Sequence, residues 1–189
     1  MNPYERFQQL YDHASVGIDR EVASTMCLST VDGEGRPHSR MVLFKGLFEG
    51  KFSFFTNYQS HKGEEIEANP NVALLFHWTN TKCQVRIEGR AVKAPRDFVE
   101  NYWNTRPLES QISGAISDQS RSIDLYQNLV KKFEVMRASA TKIMCPENWG
   151  GYLVEPEYFE FWEASPFRLH KRRVMKKTNT GWDSQFLAP

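Results

Sequence analysis

The stretch from Arg40 to Lys62, RMVLFKGLFEGKFSFFTNYQSHK, constrains the fold most. Two short apolar runs flank a glycine-bearing turn at Glu49-Gly50, which predicts two β-strands. Arg40 opens the first strand and Lys45 closes it; Phe55, Thr56 and Asn57 end the second. Ser60, His61 and Lys62 then open a helical pattern. A helix N-terminus beside basic side chains is a place to hold a phosphate, because free N–H groups and positive charge converge there. Alternation along a strand puts Arg40 and Lys45, an odd number of residues apart, on opposite faces. One ligand then meets both only across a strong twist; otherwise they serve two ligands. A hairpin with ordinary edge charges fits the same pattern.

The rest of the chain supplies more strands. Helical spacing of Tyr4, Phe7, Leu10 and Tyr11 predicts a helix over Pro3–Ala14, started by Asn2-Pro3. Ala23–Val31 and Pro37–Phe44 read as a hairpin around Asp32-Gly33-Glu34-Gly35, and Lys51–Thr56 follows. A short helix over Lys62–Ala68 ends at Asn69-Pro70. Val72–Trp78 and Gln84–Val92 are further strands, the first nearly continuous in apolar residues. Pro95–Thr105 is helical, Arg106 marks a kink before Pro107, and Ser122–Arg137 is a longer amphipathic helix. After a loop at Pro146–Gly151, strands return at Tyr152–Val154, Glu157–Glu163, Arg172–Lys177 and Trp182–Leu187. The expectation is a mainly β chain with added helices, an antiparallel barrel in one domain over 1–189, with a helical insertion at about 95–138 and C-terminal strands at about 150–189.

Composition narrows the function classes. With 24 basic and 23 acidic residues the net charge is +1, which gives no argument for a general nucleic-acid or membrane-surface binder. Thirteen Phe, seven Tyr and five Trp supply flat surfaces for a core, an interface or a planar ligand. Cys27, Cys83 and Cys145 are far apart and form no CxxC pair, so neither a disulfide framework nor a metal site is expected. The start, MNPYERFQQL, lacks a secretion-signal pattern, and no apolar run reaches membrane-span length. The expected setting is the cytoplasm.

Three constellations can carry chemistry. The first is Arg40, Lys45, Thr56, His61 and Lys62. In the second, YWNTRPLESQ, Tyr102, Arg106 and Ser110 recur every four residues, near one helical face, as an anion clamp or as a capped helical corner with a solvated Arg. In the third, FEFWEASPFRLHKRR, Arg168 and His170 point to one side of an extended chain after Trp162. They can hold an aromatic or anionic substrate and handle a proton near neutral pH. A basic surface strand running on through Lys171, Arg172 and Arg173 reads the same way.

Taken together, RMVLFK, FTN, NPNVALLFHW, RPLESQ, DQS, WGGY, EFW and RLH stand in an order and spacing that resembles the pyridoxamine 5′-phosphate oxidases. The resemblance runs from about Glu21 to Leu187-Ala188-Pro189. It implies a homodimer of FMN-binding split barrels with FMN at the subunit interface, and oxidation of pyridoxamine or pyridoxine 5′-phosphate to the aldehyde by O₂, releasing H₂O₂. It implies FMN contacts at Arg40, Met41, Val42, Leu43, Phe44 and Lys45, at Phe55 and Thr56, at Lys62 with His61 beside it, at Gln84, at Gln119 and Ser120, and at Trp162 and Arg172. Substrate contacts fall on Lys45, Tyr102, Arg106, Ser110, Arg168 and His170, the last two with the catalytic role. Arg40 would then face the flavin phosphate and Lys45 the substrate phosphate.

The chain departs from the family in three places. His61 stands where Arg is common and Lys171 where an acidic residue is common, and no counterpart of the N-terminal arm of longer members is expected. The first two bear on cofactor affinity and local charge, the third on closure of the site. Two alternatives stay open: a related oxidase of another reduced ring, such as a phenazine precursor, and a non-catalytic flavin-binding barrel.

Overall fold

The computed structural model describes residues 2–189. The helix α1 (Pro3–Ser15) starts where the sequence predicts, in a capping box: the Tyr4 N–H donates to the Asn2 side chain at 3.0 Å, and Glu5 accepts from the Asn2 N–H. Its buried stripe of Phe7, Leu10 and Ala14 closes one end of the sheet, with the Phe7 ring 4.8 Å from Phe52, 5.1 Å from Phe76 and 5.5 Å from Phe44. Ala23 and Ser24, expected at the head of a strand, lie instead in a short helix α2 (Arg20–Ser24) capped by Asp19. An acidic cap overrides the β preference of the next few residues.

The strands are β1 (Thr25–Val31), β2 (Pro37–Leu43), β3 (Leu47–Phe48), β4 (Lys51–Asn57), β5 (Asn71–Trp78), β6 (Cys83–Lys93), β7 (Trp149–Glu163), β8 (Lys171–Thr178) and β9 (Gly181–Leu187). They form one antiparallel sheet in the order β2-β1-β5-β6-β7-β4-β3, with β8 and β9 continuing from β7. The β1–β2 hairpin is as expected, Thr25 facing Leu43 and Val31 facing Pro37. A hairpin of the two apolar runs within Arg40–Lys62, one of the readings the pattern allows, is not what forms. The partner of β4 across Glu49-Gly50 is the two-residue β3, while β2 pairs with β1. Positive φ at Glu49 (50°) and Gly50 (74°) makes that turn. Beyond Leu43 the chain still reaches β4: the Lys45 N–H donates to Ser53 O at 2.9 Å and the Ser53 N–H to Gly46 O at 3.0 Å. These bonds bring the two ends of the sheet together as a split barrel.

β7 is one strand of 15 residues where the sequence suggests two, and it takes in the end of the expected loop because Trp149 pairs with Asn57. Pro156, which has no N–H to give, sits across from Gly89, where the register with β6 shifts. A Cβ at Gly89 would lie 2.0 Å from Glu155 O, so the strand needs glycine there.

The remaining helices are α3 (His61–Ala68), α4 (Arg96–Thr105), α5 (Leu108–Ile116) and α6 (Tyr126–Ser139). The sequence places the start of α6 four residues too early. Two apolar cores result. One fills the barrel around Phe52, Phe54, Phe76 and Phe159; the other joins α4 and α5 to the outer side of β4 and β7 through Val99, Trp103, Ile112 and Trp149.

Candidate active site

A cleft of about 850 Å³ opens between the end of β2, the end of β4, the first turn of α3 and the α4–α5 corner. Arg40, Met41, Val42, Leu43, Lys45, Phe55, Thr56, Lys62, Tyr102, Arg106, Ser110 and Gln119 all line it, each named by the sequence. Strand parity is no obstacle to Arg40 and Lys45 sharing it, because β2 ends at Leu43. The next residue, Phe44, turns into the barrel core and gives its N–H to Ser24 O at 2.8 Å. Gly46, at φ 99°, then redirects the chain and leaves Lys45 at the cleft.

Tyr102, Arg106 and Ser110 converge without sharing a helix. Arg106 caps α4 in extended conformation (φ −74°, ψ 145°), and Pro107 leads into α5. Tyr102 stacks on Phe55 with ring centroids 4.0 Å apart, and Lys45 Nζ lies 5.9 Å from the centre of the Tyr102 ring. The Arg106 guanidinium sits 4.7 Å from the Trp149 ring and 5.0 Å from Trp103. Its Nη1 is buried with no hydrogen-bond partner. Burial pulls Arg106 below its ordinary pKa, with Tyr102 and Cys145 opposing.

The other end of the cleft is built by α3. Ser60 caps the helix and Lys62 follows in its first turn, buried. Among the described residues Lys62 Nζ donates only to hydroxyls, Thr56 Oγ1 at 3.3 Å and Ser60 Oγ at 3.2 Å. Burial lowers its pKa, Arg40 lowers it further, and Glu65 pushes back. Gln119 Oε1 accepts from Thr56 Oγ1 (3.0 Å) and from the Asn57 N–H (3.3 Å), which pins the 117–125 loop to β4. Among the described residues neither Lys62 nor Arg106 has a carboxylate partner, so the cleft carries two buried or half-buried cations whose charge suits an anion.

Several named residues are not in this cleft. Phe44 belongs to the barrel core, while His61 and Ser120 are exposed beside the cleft rather than in its wall. Gln84, Trp162 and Arg172 instead form a row across β6, β7 and β8: Gln84 faces Trp162, and Trp162 faces Arg172. The His170 ring lies 4.6 Å from Trp162, and its Nδ1 accepts from the Ser165 N–H at 3.3 Å. Arg172 is drawn to Glu160 at 2.7 Å and to Ala188 O at 3.0 Å. Arg168 and His170 do not lie on an extended chain. Pro166–Arg168 is a 3₁₀ turn, with Phe167 (φ 57°) and Arg168 (φ 62°) both left-handed, because the β7–β8 hairpin reverses there.

The sequence reading passes over Glu21, Asn57, Ser113, Gly114 and Trp149, which also line the cleft. The signals for two of these were present. Ser113 and Gly114 follow Ser110 at helical spacing. Glu21 and Trp149 arrive through tertiary packing alone.

A family profile described as pyridoxamine 5′-phosphate oxidase matches residues 20–140, and one described as the pyridoxine 5′-phosphate oxidase C-terminal dimerisation region matches 149–189. The chain belongs to the pyridoxamine 5′-phosphate oxidase family. A pyridoxine/pyridoxamine 5′-phosphate oxidase of Pseudomonas putida (strain GB-1) is 46% identical over 191 residues, covering 99% of this chain and 88% of the relative. One from Haemophilus influenzae (strain 86-028NP) is 43% identical, covering 100% and 90%. Among solved structures, PhzG from Burkholderia lata 383, in complex with tetrahydrophenazine-1-carboxylic acid, superposes with TM-score 0.94 at 26% identity over 100% of this chain and 93% of that one. An FMN binding protein of Nostoc punctiforme PCC 73102, related to pyridoxamine 5′-phosphate oxidase, shares the fold at TM-score 0.83 and 18% identity.

Within this oxidase family chain the two profiles divide the named residues. Arg40 to Gln119 fall under the first, and Trp162, Arg168, His170 and Arg172 under the dimerisation region. Gln84, in the first region, joins the second group through its register with Trp162. Among the described residues no cluster of His, Cys, Asp and Glu is placed to hold a metal ion, and no helix is long and apolar enough to cross a membrane.

Proposed function

We propose that the chain is an FMN-dependent oxidase that converts pyridoxamine 5′-phosphate or pyridoxine 5′-phosphate to pyridoxal 5′-phosphate, with O₂ as acceptor and H₂O₂ as product, the amine substrate also consuming water and releasing ammonia. One observation carries this reading: the cleft holds two separate sets of cations. Arg40 and Lys62 stand at one end, close enough for their charges to couple. Lys45 and Arg106 stand at the other, around Tyr102. A flavin phosphate suits the first set, beside the N-terminus of α3, and a substrate phosphate the second. The residues fit FMN: the hydroxyl-bound ammonium of Lys62 takes the phosphate, and Thr56 and Gln119 offer polar contacts. FMN, when bound, supplies the two-electron oxidation of the 4′ carbon and the reoxidation by O₂.

The protein's own work is orientation. Lys45, Tyr102, Arg106 and Ser110 hold the substrate phosphate. The Phe55–Tyr102 stack fixes the phenol and so the wall against which the substrate ring rests. Gln84, Trp162, Arg168, His170 and Arg172, which one protomer keeps apart from its own cleft, complete the cleft of a second copy. The molecule is then a homodimer of one-domain protomers with FMN at the interface, and the partner's Arg168 and His170 meet the substrate ring. Three free cysteines suit a reducing cytoplasm.

The likeness to PhzG favours a second reading, oxidation of a reduced phenazine-type ring. A ring carboxylate would use the fork of Arg106 but not Lys45, Tyr102 and Ser110 together, whereas a phosphate has oxygens for all four. Purified protein with a yellow flavin spectrum, given pyridoxine 5′-phosphate in air, should form aldehyde and peroxide in equal amounts. A flavin-loaded protein that leaves the B6 phosphates untouched and turns over the reduced phenazine would replace the first reading by the second.

A further inference from the structure

Among the described residues, Arg40 is the one cation lining the cleft that has a carboxylate partner. Its Nη2 donates to Glu65 Oε2 at 3.0 Å, and its Nη1 donates to Thr30 Oγ1 at 2.5 Å and to Leu28 O at 3.4 Å. Thr30, fully buried, donates its own hydroxyl proton to the same Glu65 oxygen. The other Glu65 oxygen lies 2.5 Å from Nδ1 of His38, two residues before Arg40 on β2. The carboxylate is thus buried and satisfied on both oxygens. Burial alone would raise its pKa, but the bonds from Thr30, His38 and Arg40 outweigh that and hold it below the ordinary carboxylate value.

We infer that Glu65 is a positioning residue for the cofactor site, acting through Arg40. An arginine side chain is long, and freezing it costs rotamer entropy each time it grips an anion. Glu65 and Thr30 bear that cost in the free protein: they fix two corners of the guanidinium and leave its remaining N–H groups to the cleft that Arg40 lines. The helix that carries Glu65 also carries Lys62, so α3 sets both cations of this end relative to each other. Glu65 has a second effect. Burial is the main cause of the lowered pKa of Lys62; repulsion by Arg40 lowers it further, and the Glu65 charge opposes both. A standing carboxylate behind the pair lets two cations share one wall before any phosphate arrives.

The inference rests on the reading that Arg40 meets the FMN phosphate, and the test separates the two. Apo-protein of the full chain is titrated with FMN by fluorescence quenching, for Glu65→Ala, Arg40→Ala and the double variant, with thermal melts as a check on folding. Glu65→Ala should weaken FMN binding about tenfold, and should weaken it no further in the Arg40→Ala background. Glu65→Gln, whose amide oxygen still accepts from Arg40, should bind FMN within about threefold of the parent or more tightly. Thr30→Val, which breaks the Arg40 Nη1 bond without changing charge, gives the same cycle should Glu65→Ala fail to fold, again with an effect that vanishes once Arg40 is gone. If Arg40→Ala binds FMN like the parent, the cofactor reading of Arg40 falls and the inference with it. If Arg40→Ala is weak but the Glu65 or Thr30 effect is additive with it, or if Glu65→Gln is as weak as Glu65→Ala, the inference alone is overturned.

Discussion

The guanidinium of Arg106 lies 4.7 Å from the ring of Trp149, and its Nη1 has no hydrogen-bond partner. A residue at the break between α4 and α5 is thereby held over the ring of the first residue of β7. Arg106→Ala should raise KM for pyridoxine 5′-phosphate with FMN content unchanged. Loss of a charge-assisted contact to a phosphate is worth about 1.5–3 kcal/mol, or roughly 10- to 150-fold. Arg106→Lys should recover little, because a lysine offers neither a stacked plane nor a fork. Steady-state kinetics with the flavin spectrum as control decide it; an unchanged KM would return Arg106 to the role of a helix corner.

That site shows how far the sequence carries. That Tyr102, Arg106 and Ser110 lie near one another, and that the chain kinks at Arg106 before Pro107, was legible, but the one helical face expected to bring the three together is not what does so. Pro107 breaks the helix, and the break itself turns Arg106 inward. Parity misled in the same way. It holds only while a strand lasts, and β2 ends before Lys45. The barrel was legible from strand alternation and turn residues, since burial on one face imposes period two. The β3–β4 hairpin and the unbroken β7 were not, because they depend on which strands meet in space. Trp149 and Glu21 reach the cleft by packing between distant segments, for which a local pattern has no signal.

Ser60 ties the stability of α3 to its anion site. Its Oγ accepts from the Gly63 N–H at 3.4 Å and from Lys62 Nζ at 3.2 Å, and donates to Asn57 O at 2.7 Å. Ser60→Ala should cost about 0.5–2 kcal/mol of stability as a lost cap. FMN affinity should fall several-fold alongside, since Lys62 loses one of its two anchors. Chemical denaturation and FMN titration on the same preparation test the pairing of effects; a destabilised variant with unaltered FMN affinity would uncouple the cap from the site.

Phe7 holds α1 across the barrel end. It is fully buried and touches Tyr11, Phe44, Phe52, Phe76 and Trp78. Phe7→Ala should destabilise by about 3–5 kcal/mol, the range for a large aromatic removed from a packed core. A urea midpoint within experimental error of the parent would mean that the helix contributes no core of its own.

A shared site makes a prediction that no single-chain site makes. Arg106→Ala and His170→Ala homodimers should each turn over poorly while keeping flavin. Mixed dimers of the two contain one cleft with both defects and one with neither, so they should recover up to about half the parent activity. Co-expression with two affinity tags isolates the hybrid. Hybrids no more active than the homodimers would place His170 outside the partner's cleft.

A Lys62 that meets the FMN phosphate, as proposed, should set the pH dependence of cofactor binding. Burial lowers its pKa in the free protein, Arg40 lowers it further and Glu65 opposes. The free fold therefore carries the cost of a buried charge at pH below that lowered pKa, and is relieved of it as pH rises towards the unfolded lysine value. An FMN phosphate favours the charged ammonium instead. As pH rises through the lowered pKa, binding must draw a proton back onto Lys62, and FMN affinity falls at lower pH than an ordinary lysine would dictate. Apo stability and FMN affinity should thus move in opposite directions on the alkaline side. Lys62→Met should remove the Lys62 part of both trends, whereas His61→Ala should leave them in place, because His61 is exposed and outside the cleft wall. FMN titrations and apo-protein melts from neutral to alkaline pH, run on all three proteins, separate these outcomes. Parallel affinity curves for the parent and Lys62→Met would show that the lysine does not meet the phosphate.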